Sequence, residues 1–252
     1  MRFSLMFALL VVSSFAFAEE STTSTQEIPS AVTNALKSTF GATSKISAIA
    51  PAPITGLFEV VIGSELLYIT VDGKHFIAGN IFELRPTSTD KDKYEPFNLT
   101  DQRRTGLRTQ ELNQLDESEM VVFAPETETK HTINVFTDVD CPYCAKFHLE
   151  VAALNKAGVK VRYLAFPRAG VGSKTYQTMM SIWCAEDRKQ AMTDAKARKK
   201  IEERQCTNPI TKQYELGKRI GITGTPAMVL SDGQLVPGYL PAARLLALLN
   251  KK

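Results

Sequence analysis

The sequence predicts two structural units of different class on one chain. An α+β N-terminal unit, a helix plus an antiparallel meander, is followed by a helical linker and then by an α/β unit with a helical insertion. Three observations carry this expectation. Early in the chain one apolar stripe at i, i+4 spacing is followed by short extended runs separated by turn dipeptides. From Met120 onward strand-like and helix-like patterns alternate. Between these regions residues 85–97 (RPTSTDKDKYEPF) are charged, bounded by prolines and short of apolar residues.

The first segment, residues 1–18 (MRFSLMFALLVVSSFAFA), has Arg2 as its only charge and ends on Ala16-Phe17-Ala18, small residues at both positions a signal peptidase reads. This is the pattern of a secretory signal peptide cleaved after Ala18. The apolar run is short for a membrane anchor, which wants ~20 apolar residues. Export brings the chain into an oxidising compartment, where disulfides form and persist. Residues 19–27 are polar and read as disordered. The net charge of +3 over 252 residues gives no argument for nucleic acid as a partner.

Ile28, Val32, Leu36 and Phe40 form the first helical stripe, with Pro29 near its start and Gly41 just past its end. Extended runs follow at Ser44–Ile49, Leu57–Ile62 and Leu66–Val71, with Lys74–Leu84 after a further turn. Gly63-Ser64 and Asp72-Gly73 are the hairpin turns. Residues 28–84 thus form a unit of about 60 residues, which buries little surface alone and presents open strand edges. Pairing with a second copy relieves both problems, so residues 28–84 are expected to be a dimerisation domain. Residues 85–117 read as a linker with a connecting helix, capped by Thr100 and sparsely apolar at Leu107, Leu112 and Leu115.

Residues 118–252 carry the α/β pattern. MVVF and Thr132–Phe136 are strands. A helix then runs to Ala157 with Gly158 as its stop, and Val159–Phe166 alternates as a strand, completing a β-α-β unit. Helical patterns occupy 173–203 and 209–219. A hairpin around Asp232-Gly233 and a closing helix over Leu240–Asn250 follow. The basic run Lys196–Arg204 (KARKKIEER) also carries Glu202 and Glu203 and reads as a solvated helix face.

The chemistry concentrates in VFTDVDCPYCAKFH, residues 135–148. A Cys-x-x-Cys between a strand and a helix within a β-α-β unit is the thioredoxin-like arrangement. Cys141 falls at the helix start, where free N–H groups and the positive end of the helix dipole stabilise a thiolate. It is expected to be an accessible nucleophile. Cys144, one turn on and less exposed, is placed to attack a mixed disulfide at Cys141. Pro142 suits the first turn because it lacks an N–H, and with Tyr143 it forms the dipeptide that tunes the pair. A four-cysteine zinc site is disfavoured because Cys184 and Cys206 stand alone, so no metal and no cofactor are expected. Cys184 and Cys206 suit a structural bridge better than a second catalytic pair; closing a loop of this size stabilises by roughly 3 kcal/mol.

In GITGTPAMVL, residues 221–230, Pro226 occupies the place where thioredoxin-like folds set a cis-proline beside the dithiol; an ordinary turn proline is the plainer alternative. Thr225 then offers its backbone to an extended substrate, with its hydroxyl near Cys141. His148 reads as an exposed helix histidine, and Asp138 and Asp140 as loop-capping residues. His75 and His131 lack a partner pattern.

FTDVDCPYC, VRYLAFPR (161–168), IWCA (182–185), GTPAMVLSDGQLVPGY (224–239), LYITVDGKHFIAG (67–79) and APAPITG (50–56) together resemble the DsbC/DsbG family of periplasmic disulfide isomerases across the mature chain. The resemblance implies V-shaped homodimers joined at their N-terminal domains. It implies a thioredoxin-like domain with a helical insertion at each tip and a cleft for misfolded, disulfide-containing exported proteins. It implies Cys141 as nucleophile, Cys144 as resolving cysteine, Pro226 as cis-proline and a Cys184–Cys206 bridge. It further implies a membrane reductase of the DsbD type that keeps the dithiol reduced, and associated chaperone activity. Pro142 departs from the DsbC pattern, which has glycine there. CPYC is the box of DsbG, so a DsbG-like reductase of single oxidised cysteines, or a holdase with minor redox activity, is the alternative.

Overall fold

The computed structural model describes residues 27–41 and 46–251. The expected signal peptide, the polar stretch through residue 26 and the first residues of the Ser44–Ile49 run lie outside the described residues.

The N-terminal unit is α+β, as the sequence predicts. Helix α1 (Ser30–Phe40) starts after Pro29 and ends on Gly41, whose φ of 83° is open to glycine at no steric cost. Strands β1 (Ile46–Pro51), β2 (Leu57–Ile62), β3 (Glu65–Thr70) and β4 (Phe76–Ile77) form one antiparallel sheet in that order. Val32 and Leu36 of α1 pack on Phe58, Val60, Leu67 and Ile69 of the sheet. The other face carries Val61, Leu66 and Tyr68, against which Leu107 packs.

The expected single run Lys74–Leu84 is in fact broken. After β4 the chain leaves the sheet and forms β5 (Phe82–Pro86), which pairs with β6 (Tyr94–Asn98) as a separate two-stranded ribbon. Part of the stretch read as a linker is therefore hairpin. Its charges hide the pattern: Arg85 stacks on the Phe97 ring at 3.5 Å and binds Glu83 at 2.5 Å.

Helix α2 (Leu99–Asn113) is capped by Asn98, whose Oδ1 accepts the Asp101 N–H at 2.9 Å, and not by Thr100 as expected. Thr100 is the second residue of the helix and is buried. Its hydroxyl lies 2.6 Å from the Tyr68 hydroxyl and accepts the Ile81 N–H at 2.8 Å. α2 touches both units. Toward the N-terminal sheet, Arg103 binds Glu59 at 2.6 Å. Toward the C-terminal unit, the buried Arg108 donates to the Ile220 carbonyl at 3.1 Å, and Leu112 enters the second core.

The C-terminal unit is a five-stranded sheet in the order β11-β10-β8-β9-β7. Its strands are β7 (Val121–Phe123), β8 (His131–Thr137), β9 (Val159–Ala165), β10 (Ala227–Leu230) and β11 (Leu235–Pro237). β8 and β9 are parallel and the other pairs antiparallel. Helix α3 (Pro142–Lys156) joins the parallel pair, with Phe147, Val151 and Leu154 buried on the sheet. The helical insertion differs from a continuous 173–203 helix. α4 (Lys174–Trp183) and α5 (Arg188–Lys196) are separate helices, because Asp187 caps a new start by accepting the Gln190 N–H at 2.9 Å. Residues beyond Lys196 leave the helix, so the basic run is not a helix face. Cys184 and Cys206 form a disulfide that ties this excursion to the end of α4. Helices α6 (Ile210–Arg219) and α7 (Ala242–Leu249) complete the unit. Among the described residues no helix is long and apolar enough to cross a membrane.

Gly233 turns the β10–β11 hairpin at φ 85°, and a Cβ there would lie 2.2 Å from the Thr105 carbonyl oxygen of α2. The substitution Gly233→Ala therefore combines left-handed backbone strain with a backbone clash. It is expected to lower unfolding stability by roughly 2 kcal/mol or more, read from the shift of a urea transition midpoint.

Candidate active site

The site is assembled at the C-terminal end of β8. That strand delivers Thr137 and Asp138 to a short loop, and Cys141 takes the N-cap position of α3 with φ −82° and ψ 117°. Pro142 occupies the first helical position, where a missing N–H costs nothing. The Cys141 sulfur accepts the Cys144 N–H at 3.3 Å, doing with sulfur what a cap oxygen ordinarily does. Its thiol donates to the Thr225 carbonyl at 3.2 Å. Thr225 stands just before β10, and the Thr225–Pro226 peptide is cis. Both cysteines of the pair are unbridged.

The sequence led to an accessible Cys141 and a less exposed Cys144; both side chains are in fact 1% exposed. The cover over Cys141 includes the Thr225 backbone to which its thiol is bonded, while Tyr143 points outward at 62% exposure. Accessibility therefore does not separate the two thiols, and their surroundings do. Burial pushes the Cys141 thiol up, but it is outweighed by the donors available to its ionised sulfur, the Thr225 hydroxyl and the Cys144 thiol and amide, and by the Arg168 charge. The net direction is down. The buried Thr225 hydroxyl has no hydrogen-bond partner within the protein, so it is free to donate to an anionic sulfur. Burial pushes the Cys144 thiol up, and for this sulfur the burial effect prevails.

Asp138 organises the loop. It is 1% exposed, and its Oδ1 accepts the Asp140 N–H at 2.7 Å. Its Oδ2 accepts the Arg168 N–H at 2.8 Å and Nε at 3.1 Å. Its carbonyl accepts the Cys141 N–H at 3.2 Å and the Lys196 ammonium at 2.8 Å. Asp140 accepts the Thr175 hydroxyl and lies 3.7 Å from Arg198. Both carboxylates hold the loop, as their capping role anticipates.

His148 corrects the expectation of an exposed helix histidine. Its Nδ1 lies 3.0 Å from the Tyr163 hydroxyl and its Nε2 3.1 Å from the Thr193 hydroxyl. Burial, assisted by the Lys196 charge, lowers its pKa to about 4, so it is neutral at physiological pH. Burial and the nearby Cys144 push the Tyr163 phenol well above its ordinary range. Lys196, placed by sequence on a solvated face, is 5% exposed and lies beneath the loop. Its spacing from the buried Met192, four residues earlier on α5, is the signal that would have found it. His75 and His131 lie away from this cluster, His131 facing Asn250 at 3.3 Å. Cys184 and Cys206 are bridged at a Cα separation of 5.7 Å.

A strand–dithiol–helix turn facing a cis-proline, on a sheet of this order, defines a thioredoxin-fold thiol:disulfide oxidoreductase. The thioredoxin-like domain model matches residues 118–252, and the model of the disulfide bond isomerase protein N-terminal domain matches residues 18–100. The thiol:disulfide interchange protein DsbC of Escherichia coli is 44% identical over 197 residues, covering 78% of this chain and 78% of that protein. DsbC of Salmonella typhimurium is 41% identical over 203 residues, covering 81% and 80% respectively. The crystal structure of a disulfide interchange protein from Neisseria gonorrhoeae aligns at 27% identity and a TM-score of 0.49, over 54% of this chain and 97% of that one. The chain belongs to the DsbC family of thiol:disulfide interchange proteins.

His148 sets an acid limit on the fold. Its folded pKa of about 4 lies below the ordinary 6.5, so the unfolded state takes up the proton first. Its contribution is fully present above pH 6.5 and is lost as pH falls from 6.5 toward 4. Urea titrations at a series of pH values should show this loss, and His148→Gln should flatten the profile in that window.

Proposed function

We propose that the protein is a periplasmic isomerase of non-native disulfides in exported proteins, with Cys141 as nucleophile and Cys144 as resolving thiol. The observation that carries this is the Cys141 sulfur at the start of α3, accepting the Cys144 N–H at 3.3 Å and facing Thr225. Ionisation removes the proton that ties this sulfur to the Thr225 carbonyl. The sulfur then accepts from Cys144 N–H and the Thr225 hydroxyl, and the released carbonyl is free to accept an N–H from an extended substrate. Thr225 and the cis Pro226 thus bind substrate backbone, and Pro142 and the exposed Tyr143 border the approach.

The thiolate attacks one sulfur of a substrate disulfide. A Cys141–substrate bond forms, and the second substrate sulfur leaves as a thiolate. That thiolate attacks another disulfide or returns to the mixed bond, so isomerisation consumes no electrons. Cys144 offers the reductive exit, which leaves the enzyme oxidised and in need of a reductant; a membrane reductase of the DsbD type fits that need. The DsbC names of the curated relatives support isomerase over a DsbG-like reductase, despite Pro142. The Cys184–Cys206 bridge is structural in this reading.

We assign residues 28–84 to dimerisation, 85–117 to connection and 118–252 to catalysis, with residues 1–18 removed as the signal peptide on export. Phe76, Ile77, Phe82, Leu84 and Tyr94 are large, apolar and more than half exposed, and they cluster on β4 and the β5–β6 ribbon. Such side chains on open strand edges favour a second copy as their cover.

Replacing Cys141→Ala should abolish recovery of active ribonuclease from its scrambled form, while Cys144→Ala should retain part of it. Full activity of the Cys141→Ala protein would sink the reading. The double substitution Phe82→Asp with Leu84→Asp should shift the mature protein from dimer toward monomer in light scattering at micromolar concentration.

A further inference from the structure

Beneath the dithiol loop lies a buried cation that the exchange steps above leave unused. Lysine side chains normally extend so that the ammonium reaches water. Lys196, the last residue of α5, instead directs Nζ inward, donating to the Thr137 hydroxyl at 2.7 Å and the Asp138 carbonyl at 2.8 Å. Thr137 and Asp138 are the residues that carry β8 into the Cys141 loop. A buried cation without an anion is costly. The neighbouring guanidinium groups have carboxylate partners: Arg168 pairs with Asp138 and Arg198 with Asp140. Among the described residues no carboxylate lies within ion-pair distance of Lys196; both its hydrogen-bond acceptors are neutral.

The titratable groups gathered around Lys196 and Cys144 come from five elements. α3 supplies Cys141, Cys144 and His148. The loop after β8 supplies Asp138, β9 supplies Tyr163, the segment after β9 supplies Arg168, and α5 with its exit supplies Lys196 and Arg198. His148 and Tyr163 are neutral at physiological pH and Asp138 is engaged by Arg168, which leaves the thiols as the candidates to become the missing anion.

We propose that Lys196 is a positioning residue of the exchange reaction: its buried ammonium stabilises the Cys144 sulfur as the anion that must form to displace a bound substrate from Cys141. This rests on the reading of Cys144 as the resolving thiol. In that step the Cys144 thiolate attacks the Cys141 sulfur of the mixed disulfide. The Cys141–Cys144 bond forms, the Cys141–substrate bond breaks, and the substrate sulfur departs with the electron pair and takes up the proton that Cys144 gave up. In this step Cys144 rises from thiol to disulfide level and the departing substrate sulfur returns to thiol level, while Cys141 stays at disulfide level. Over both exchange steps the two cysteines lose two electrons and the two sulfurs of the substrate disulfide gain them. Lys196 keeps its proton throughout and favours the charged state of Cys144, which burial alone disfavours.

The titration directions agree with this arrangement. Burial raises Cys144, and the Lys196 charge is the largest effect opposing it. Burial lowers Lys196 to about 8, and the Cys144 sulfur is the largest effect pulling it back up. Lys196 is thus predominantly an ammonium at neutral pH. Its strength as a counter-charge sets how readily a stalled complex takes the reductive exit instead of isomerising.

The test uses the full mature protein carrying Cys141→Ala, in which Cys144 is the free thiol. The rate of Cys144 alkylation by iodoacetamide is followed against pH, with and without Lys196→Met. Loss of the charge should raise the apparent Cys144 pKa by roughly one unit or more and slow alkylation at pH 7, where Lys196 is charged, about tenfold. An unchanged pH profile in a folded Lys196→Met protein overturns the proposal.

A second measurement leaves Lys196 in place and decides the matter if the methionine variant does not fold. Lys196 is titrated by NMR of labelled lysine side chains in the Cys141→Ala protein and in the Cys141→Ala, Cys144→Ala protein. Coupling between sites is reciprocal, so removing Cys144 should lower the Lys196 pKa. Identical titrations would show that the two groups do not interact. Both readouts concern Cys144 and Lys196 alone, so they stand or fall separately from the ribonuclease assay, which tests Cys141.

Discussion

The structure turns on one contact, the Cys144 N–H donated to the Cys141 sulfur at the first turn of α3. A helix leaves its first N–H groups without partners, and some acceptor must meet them. Ordinarily a serine, threonine or aspartate oxygen does so. Here the acceptor is a sulfur that grows stronger as an acceptor when it ionises. The need to cap a helix and the need for a thiolate are satisfied by the same atom. The parallel β8–β9 pair fixes where that helix begins, the Asp138 loop fixes the angle at which it is entered, and Thr225 closes the opposite side.

Two thiols with equal cover therefore behave differently. Both side chains are 1% exposed, and burial pushes both toward the neutral form. Cys141 escapes because donors converge on it from α3 and Thr225, with Arg168 adding charge. At Cys144, at the end of the first turn, burial prevails over the opposing charge of the Lys196 ammonium. The floor below the pair is polar yet nearly closed to water, and each polar group there is tied to a neighbour: His148 to Tyr163 and Thr193, Lys196 to Thr137 and Asp138. In so dry a setting a single charge has more influence than it would in solvent.

Much of this was legible in the sequence wherever the signal was local. The α1 stripe ended by Gly41, the hairpin dipeptides and the Cys-x-x-Cys between a strand and a helix are all short-range patterns. The β5–β6 ribbon was not legible because Pro86, Pro96 and interspersed charges break the alternation that marks a strand. A two-stranded ribbon tolerates prolines that a central strand would not. The cap of α2 lies two residues before the one the sequence suggests, because Asn98 and Thr100 are both competent caps and only the burial of Thr100 against Tyr68 decides between them. For Lys196 and His148 residue type points to solvent while position in the fold places them inside. Their partners lie on β8, β9 and the loop above, contacts that no local window contains.

The connectivity of the four cysteines also bears on how the molecule first acquires its bridges. Sulfurs at 141, 144, 184 and 206 emerge in that order from a chain delivered N-terminus first, and the 184–206 bridge joins the last two. If each newly emerged sulfur bonds to the one before it whenever that one is still unpaired, 141 joins 144 and 206 joins 184, and no crossed pair forms. Under that rule the Cys184–Cys206 bridge arises between sulfurs adjacent in the order of emergence, with no crossed pair to undo.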